Sequence, residues 1–244
     1  MKTVLVSILV FLSVSSASKL PQSFKKCDKQ KPDFEQCLGS AIRDAIKQLD
    51  KPVPEYGLPN LEPLALPQGI TIGNATTGVR QKYSNVGIYG HTEITNVKAR
   101  MDFHKDILNL ECSFPEIRHE ADYEALGAVL LLPIDSKGKV VVTYKKPIFT
   151  LTFNLEKHQK ENRQFYKIIK TDFDVKLDKV VFQYTNLFEN SVMTENFNAQ
   201  MNAKWDSIFS HLKVKYLGLY SKLYGTPFGN LLEKVAISDI FDGI

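Results

Sequence analysis

From Phe197 to Leu223 apolar residues stand at Phe197, Met201, Trp205, Ile208, Leu212, Tyr216, Leu219 and Leu223, separated by 4, 4, 3, 4, 4, 3 and 4 positions. On a helix of about 3.6 residues per turn this is one unbroken stripe of about eight turns. A helix of about 30 residues would span roughly 45 Å. Phe209, Leu217 and Tyr220 widen the stripe beyond a coiled-coil seam, so the helix requires a broad apolar partner. Thr194 reads as its N-cap, and Gly225 with Pro227 as its end.

The partner is legible in the middle of the chain, roughly residues 70 to 185, where the period falls to two. Leu108, Leu110, Cys112 and Phe114 alternate with polar residues. The same holds for Ile117, His119, Ala121 and Tyr123, for Phe149, Leu151, Phe153 and Leu155, and for Ile169, Thr171, Phe173, Val175 and Leu177. Period-two alternation gives each strand one dry and one wet face, as in an antiparallel sheet. Asp135-Ser136-Lys137-Gly138 reads as a turn between strands at Leu130–Ile134 and Val140–Tyr144.

A sheet with an uncovered apolar face and a helix with an uncovered stripe are expected to form two packed layers. Because so long a helix outruns a flat sheet, the strands are expected to curl around it. The predicted fold is α+β: an elongated body in which a strongly curved antiparallel β-sheet wraps a long C-terminal helix. A short amphipathic N-terminal helix precedes it, with Phe34, Cys37, Leu38, Ala41, Ile42, Ala45, Ile46 and Leu49 on one face. Asp33 and Gln36 have capping-box spacing, and Pro52 follows the helix end.

The first eighteen residues, MKTVLVSILVFLSVSSAS, have a basic start, an apolar run from Val4 to Val14 and small residues up to Ala17. This is the pattern of a secretory signal, too short to span a bilayer, so residues 1–18 are expected to be removed and 19–244 to form one exported ligand-binding domain. In an oxidising compartment, Cys27 and Cys37 are expected to form a disulfide. Neither a CxxC redox spacing nor further zinc ligands lie nearby. Cys112, in an apolar alternation, reads as a buried, inert thiol. Asn74-Ala75-Thr76 is a sequon, making Asn74 a candidate glycosylation site. The proline-rich segment from Lys51 to Gln68 carries enough apolar residues to pack on the body.

The net charge of +4 is too mild for a nucleic-acid-binding chain. Lys25, Lys26, Lys29 and Lys31 cluster near the cysteine pair; a solvated loop is the simpler reading, a rim that meets anionic lipid the other. No GxSxG, Walker, GxGxxG or HExxH motif is present. His119-Glu120 begins like a zinc helix, but Tyr123 occupies the position of the second histidine. His119 therefore reads as a satisfied core histidine, and Glu120, Asp122 and Glu124 as a solvated strand face. No catalytic constellation, metal site or cofactor is expected.

The signal-like start, the cysteine pair before an amphipathic helix and NLEPLAL at 60–66 resemble the takeout/juvenile hormone-binding protein family of insects. So do FPEIRHEADYEALGAVLLLPI at 114–134, NLFEN at 186–190 and FNAQMNAKWDSIF at 197–209. The resemblance implies a long helix wrapped by a curved sheet, an apolar tunnel for a terpenoid or fatty-acid-like ligand, secretion into haemolymph and no catalysis. Two features depart from the family pattern: Asp-Ser-Lys-Gly replaces a glycine-rich turn, and Cys112 alone cannot form the second disulfide frequent in the hormone-binding branch. These favour a takeout-like carrier.

The inner faces supply the candidate ligand-binding residues: Leu38, Ile42 and Ile46; Phe149, Phe153 and Phe173; Trp205, Phe209, Leu212 and Tyr216. The expected partner is a small hydrophobic ligand bound by a monomer, with no nucleic acid and no stable membrane insertion. The rival is a lipid-surface protein of the bactericidal permeability-increasing type, docking through its basic end.

Overall fold

The computed structural model describes residues 18–73, 78–129 and 132–244. The signal-like segment up to Ala17 and the sequon Asn74 lie outside the described residues.

Strand β1 (Cys27–Asp28) leads into helix α1 (Phe34–Lys47). A 3₁₀ turn (Pro54–Tyr56) precedes the short strands β2 (Leu64–Leu66) and β3 (Ile70–Ile72). Eight longer strands follow: β4 (Val79–Tyr89), β5 (Asn96–Asp102), β6 (Ile107–Ser113), β7 (Glu116–Val129), β8 (Leu132–Lys145), β9 (Ile148–Lys160), β10 (Arg163–Lys176) and β11 (Lys179–Tyr184). The chain closes with α2 (Ser191–Ala203), α3 (Trp205–Lys234), α4 (Ile237–Ile240) and β12 (Phe241–Asp242), and β12 pairs in parallel with β1.

This is the expected architecture of curved antiparallel strands with long C-terminal helices. The strand layer divides into two sheets, ordered β10-β9-β6-β5 and β11-β8-β7-β4-β2. Helix α3 packs on β10 and β11, and α1 packs on β5. Helix α1 approaches β5 closely: a Cβ at Gly39 would stand 2.3 Å from the Val97 carbonyl oxygen.

Several local expectations are corrected. The predicted turn at Asp135–Gly138 is instead the interior of β8, paired residue by residue with β7 from Glu116↔Lys145 to Val129↔Leu132. Gly138 is required there by crowding, since a Cβ would meet the Thr185 carbonyl oxygen at 2.1 Å. The long helix is two helices, broken at Lys204 (φ −115°, ψ 22°). Its N-cap is Asn190, whose side chain accepts from the backbone N–H groups of Val192 and Met193 at 2.9 and 3.2 Å. Thr194 is one turn inside, its hydroxyl accepting from the Phe188 N–H at 3.1 Å.

Nor does the helix stop at Gly225 or Pro227. It runs on to Lys234, although a proline inside a helix costs about 3 kcal/mol. Burial of Tyr224 and Leu232, together with the packing of Phe228 and Leu231 on the core, offsets that cost. Gly225 is a packing glycine: a Cβ would lie 2.5 Å from Thr171 Oγ1 on β10. At the other end of the chain, Asp33 is the N-cap of α1 but its side chain makes no capping bond. Finally, a bulge between Ile168 and Lys170 shifts the register of β10, leaving Ile169 59% exposed while Phe173 and Val175 stay inside.

Two asparagines seal the outer edge of the second sheet. Asn198 and Asn202, one turn apart on α2, face β11. The Tyr184 N–H donates to Asn198 Oδ1 at 2.9 Å, and Asn198 Nδ2 donates back to the Tyr184 carbonyl at 2.9 Å. Asn202 repeats this with Phe182, at 2.7 and 3.0 Å. Each carboxamide thus takes the place of a neighbouring strand and satisfies an edge that would otherwise be open to pairing.

The proline-rich segment packs on the body through buried Tyr56, Leu58, Leu61 and Leu64. Its Glu62 carboxylate accepts from the backbone N–H groups of Gly90 and Thr92 at 2.9 Å. The solvated strand face is present too, with Glu120 beside Arg118 at 2.8 Å, Asp122 beside Lys139 at 2.9 Å and Glu124 beside Lys137 at 3.4 Å.

Candidate functional site

Cys27 and Cys37 are joined by a disulfide, as expected, and fasten the N-terminal segment to the inner face of α1. Behind that face lies a cavity of about 160 Å³, the first chamber. Leu38, Ala41, Ile42, Ala45 and Ile46 of α1 form one wall. Phe149 and Leu151 of β9 and Tyr224, Phe228 and Leu231 of α3 form the others. A second cavity of about 120 Å³ lies further toward the N-terminus of α3, lined by Phe209, Leu212, Tyr216 and Tyr220 and by strand residues including Tyr83, His119, Val142 and Tyr184. From Phe209 to Leu231 the rise along α3 is about 33 Å, so the two chambers follow one helix for most of its length.

Aromatic rings separate them. Tyr220 and Tyr224 stack with centroids 6.0 Å apart and planes 12° apart. Phe173 packs against both at 5.3 Å and against Phe149 at 5.2 Å. Each tyrosine has a histidine as its hydrogen-bond acceptor, His91 buried and His119 half-buried. Tyr224 Oη lies 3.0 Å from His91 Nε2, whose Nδ1 faces the Leu61 carbonyl at 3.2 Å. Tyr220 Oη lies 3.0 Å from His119 Nε2, with His119 Nδ1 3.4 Å from the Val142 carbonyl. A carbonyl can only accept, so Nδ1 carries the proton and Nε2 accepts from the phenol. Burial lowers both histidines to about 4, so both are neutral at physiological pH.

Of the ten candidates, Leu38, Ile42, Ile46 and Phe149 line the first chamber, and Phe209, Leu212 and Tyr216 the second. Phe153 does not reach a chamber wall; it is fully buried and packs on Phe228 with centroids 5.0 Å apart. Phe173 belongs to the aromatic partition, and Trp205 packs into the hydrophobic cluster around Val180 and Phe182. Alternation and helical spacing identify an inner face, but not whether a residue on it meets another side chain or a void.

The sequence reading missed the Tyr–His pairs. His91 and His119 are remote from the tyrosines in sequence, and Tyr224 lies beyond the apparent end of the helix. The only available signal was His119 on an apolar face. Cys112 lines the first chamber as a buried thiol whose pKa burial pushes up to about 12, as its alternation predicted. Among the described residues, no three His, Cys, Asp or Glu side chains converge as metal ligands, and no helix is long and apolar enough to cross a membrane.

The structure is similar to that of Takeout 1 from Epiphyas postvittana, with a TM-score of 0.75 and 21% identity over 88% of this chain and 98% of that one. In sequence the chain is similar to the circadian clock-controlled protein daywake of Drosophila yakuba, 24% identical over 93% of this chain and 90% of that protein. The Drosophila melanogaster protein of the same name is also 24% identical, over 94% and 91%. The profile of the haemolymph juvenile hormone binding protein (JHBP) family matches residues 4–242, nearly the whole sequence, and the chain belongs to that family.

Proposed function

We propose that this protein is a secreted carrier that takes a small hydrophobic ligand, terpenoid or fatty-acid-like, into the interior lined by α1 and α3. It acts by binding, without turnover, as a monomer whose single domain spans residues 19–244, with Asn74 as a glycosylation site. One observation carries this reading: two largely apolar cavities of about 160 and 120 Å³ lie along one helix. Protein interiors are packed like organic crystals and rarely keep voids larger than a water molecule. A dry cavity of about 150 Å³ already accepts benzene. An elongated ligand occupying both chambers would displace the Tyr220–Tyr224 partition and make one continuous tunnel. Burying roughly 400 Å² of apolar ligand surface yields about 10 kcal/mol before the cost of association, enough for micromolar binding or tighter.

Docking on an anionic membrane as the main activity is not favoured by a net charge of only +4. Lys26, Lys98, Lys139 and Lys213 stand within 2.5–2.9 Å of Asp242, Glu111, Asp122 and Asp174. The test is native mass spectrometry of the protein purified from its own secretory host, followed by solvent extraction. A non-covalent mass that leaves with the organic phase is the expected result. A bare polypeptide mass, together with no uptake of N-phenyl-1-naphthylamine, would refute carriage.

A further inference from the structure

The first chamber reaches the surface beside a lysine. Among the described residues that line it, Lys25 alone is exposed to solvent; Leu20, Phe24, Ile42 and Ile46 beside it are half-buried. Lys25 is also the one lining residue that carries a full charge. A lysine can lay its methylene stem along an apolar wall while its ammonium stays in water. Its basic neighbours are engaged elsewhere. Lys26 stands 2.6 Å from Asp242 and donates to the Ser238 carbonyl at 3.2 Å. Lys29 lies over the Phe103 ring, in a separate surface cleft. The Lys25 ammonium has no ion-pair or hydrogen-bond partner among the described residues.

The inner wall holds no charge to answer a charged ligand group. Tyr224 donates to His91, which is neutral and donates in turn to the Leu61 carbonyl. Burial keeps the Cys112 thiol protonated. An ionised head drawn inside would lose its water and find no counter-charge. At the mouth the same head keeps its water and faces an unpaired ammonium. An apolar chamber with a single cation at its opening therefore suits an amphiphile that enters tail first.

We propose that Lys25 marks the head-group end of the site, where its ammonium pairs with the carboxylate of a long-chain amphiphile whose tail runs inward along α3. This rests on the carrier reading and names its ligand class: an ionised long-chain carboxylate in preference to an uncharged lipid of equal length. An ion pair exposed to water is worth about two- to fivefold in affinity, and salt weakens it.

The test displaces N-phenyl-1-naphthylamine with hexadecanoate and with hexadecan-1-ol, which share a tail and differ in head charge. The ratio of the two affinities is the readout, so any general change in folding or in chamber volume cancels. Relative to the wild type, the ratio should fall about two- to fivefold in Lys25→Gln. It should fall about four- to twentyfold in Lys25→Glu, where attraction becomes repulsion. Lys31→Glu, on the same basic segment but outside the chamber lining, should preserve it. A second readout is the carboxyl carbon-13 resonance of bound hexadecanoate. It should titrate at lower pH in the wild type than in Lys25→Gln, because the ammonium favours the ionised form.

An unchanged ratio in Lys25→Glu, an equal loss in Lys31→Glu, or a bound carboxyl that does not titrate would overturn the head-group assignment while leaving carriage intact. So would a Lys25→Glu variant that leaves phosphatidylserine–phosphatidylcholine vesicles without any change in the ratio, which would assign the lysine to a membrane surface. Failure of the probe and both lipids to bind would instead remove the carrier reading itself.

Discussion

Ala45→Phe separates a chamber that receives ligand from one that is merely unfilled. Ala45 lies on the chamber side of α1, between Ile42 and Ile46, which line the same void. The substitution adds a phenyl ring to a cavity of about 160 Å³. A cavity of about 150 Å³ holds one benzene, so a single added ring occupies most of the space. If a ligand tail normally resides there, roughly 100 Å² of its apolar surface loses its partner, or about 2.5 kcal/mol at 25 cal/mol per Å². Affinity for a long-chain probe should then fall about 60-fold. Protein stability should move the other way, because the new ring is buried in space that already exists, with a gain of up to about 2 kcal/mol. Probe titration and urea denaturation on the same preparation measure both. Unchanged affinity in a variant at least as stable as the wild type would refute the assignment of this chamber to the ligand. Val214→Phe, at a site 74% exposed on α3, is the control and should alter neither quantity.

Other expectations follow from the same coordinates. His91 and His119 are held near 4, so between that value and about 6.5 the unfolded chain binds protons that the native state excludes, and stability falls as pH falls. Between pH 7 and pH 5 the loss should be about 2 kcal/mol per histidine in urea denaturation, and a flat profile would contradict their burial as neutral groups. Replacing both Asn198 and Asn202 by alanine frees the edge of β11 and should cost about 2–4 kcal/mol with concentration-dependent aggregation; light scattering like that of the wild type would show the edge to be protected otherwise. Gly39→Val forces α1 away from the Val97 carbonyl and should lower thermal stability by several degrees, whereas a wild-type melting temperature would contradict the close approach of α1 to β5. Cys27→Ser with Cys37→Ser opens an eleven-residue ring and should cost about 3 kcal/mol by chemical denaturation. A cost near zero would mean that the rest of the fold already orders the N-terminal segment.

Local periodicity reported its own half of the structure well. The stripe from Phe197 to Leu223 and the alternations along β6, β7 and β9 required a helical layer and a strand layer, because each leaves apolar surface that water penalises and only the other can cover. The Cys27–Cys37 spacing near an export-like leader likewise implied a disulfide. Punctuation was less reliable. Gly225, Pro227 and the Asp135–Gly138 stretch read as stops, yet in the structure their neighbours are held by packing and pairing that outweigh weak local preferences. The asparagines on α2 look like ordinary surface residues until β11 is placed beside them.

What the sequence alone determined was which side of each element turns away from water, since that depends only on the order of polar and apolar residues. Whether the surfaces so joined would fill one another was decided in three dimensions. The voids arise where α1, α3 and the two sheets fail to interdigitate, and the Tyr220–Tyr224 stack closes the space between them. A void is a property of the distance between elements, and the order of residues along one element does not encode that distance.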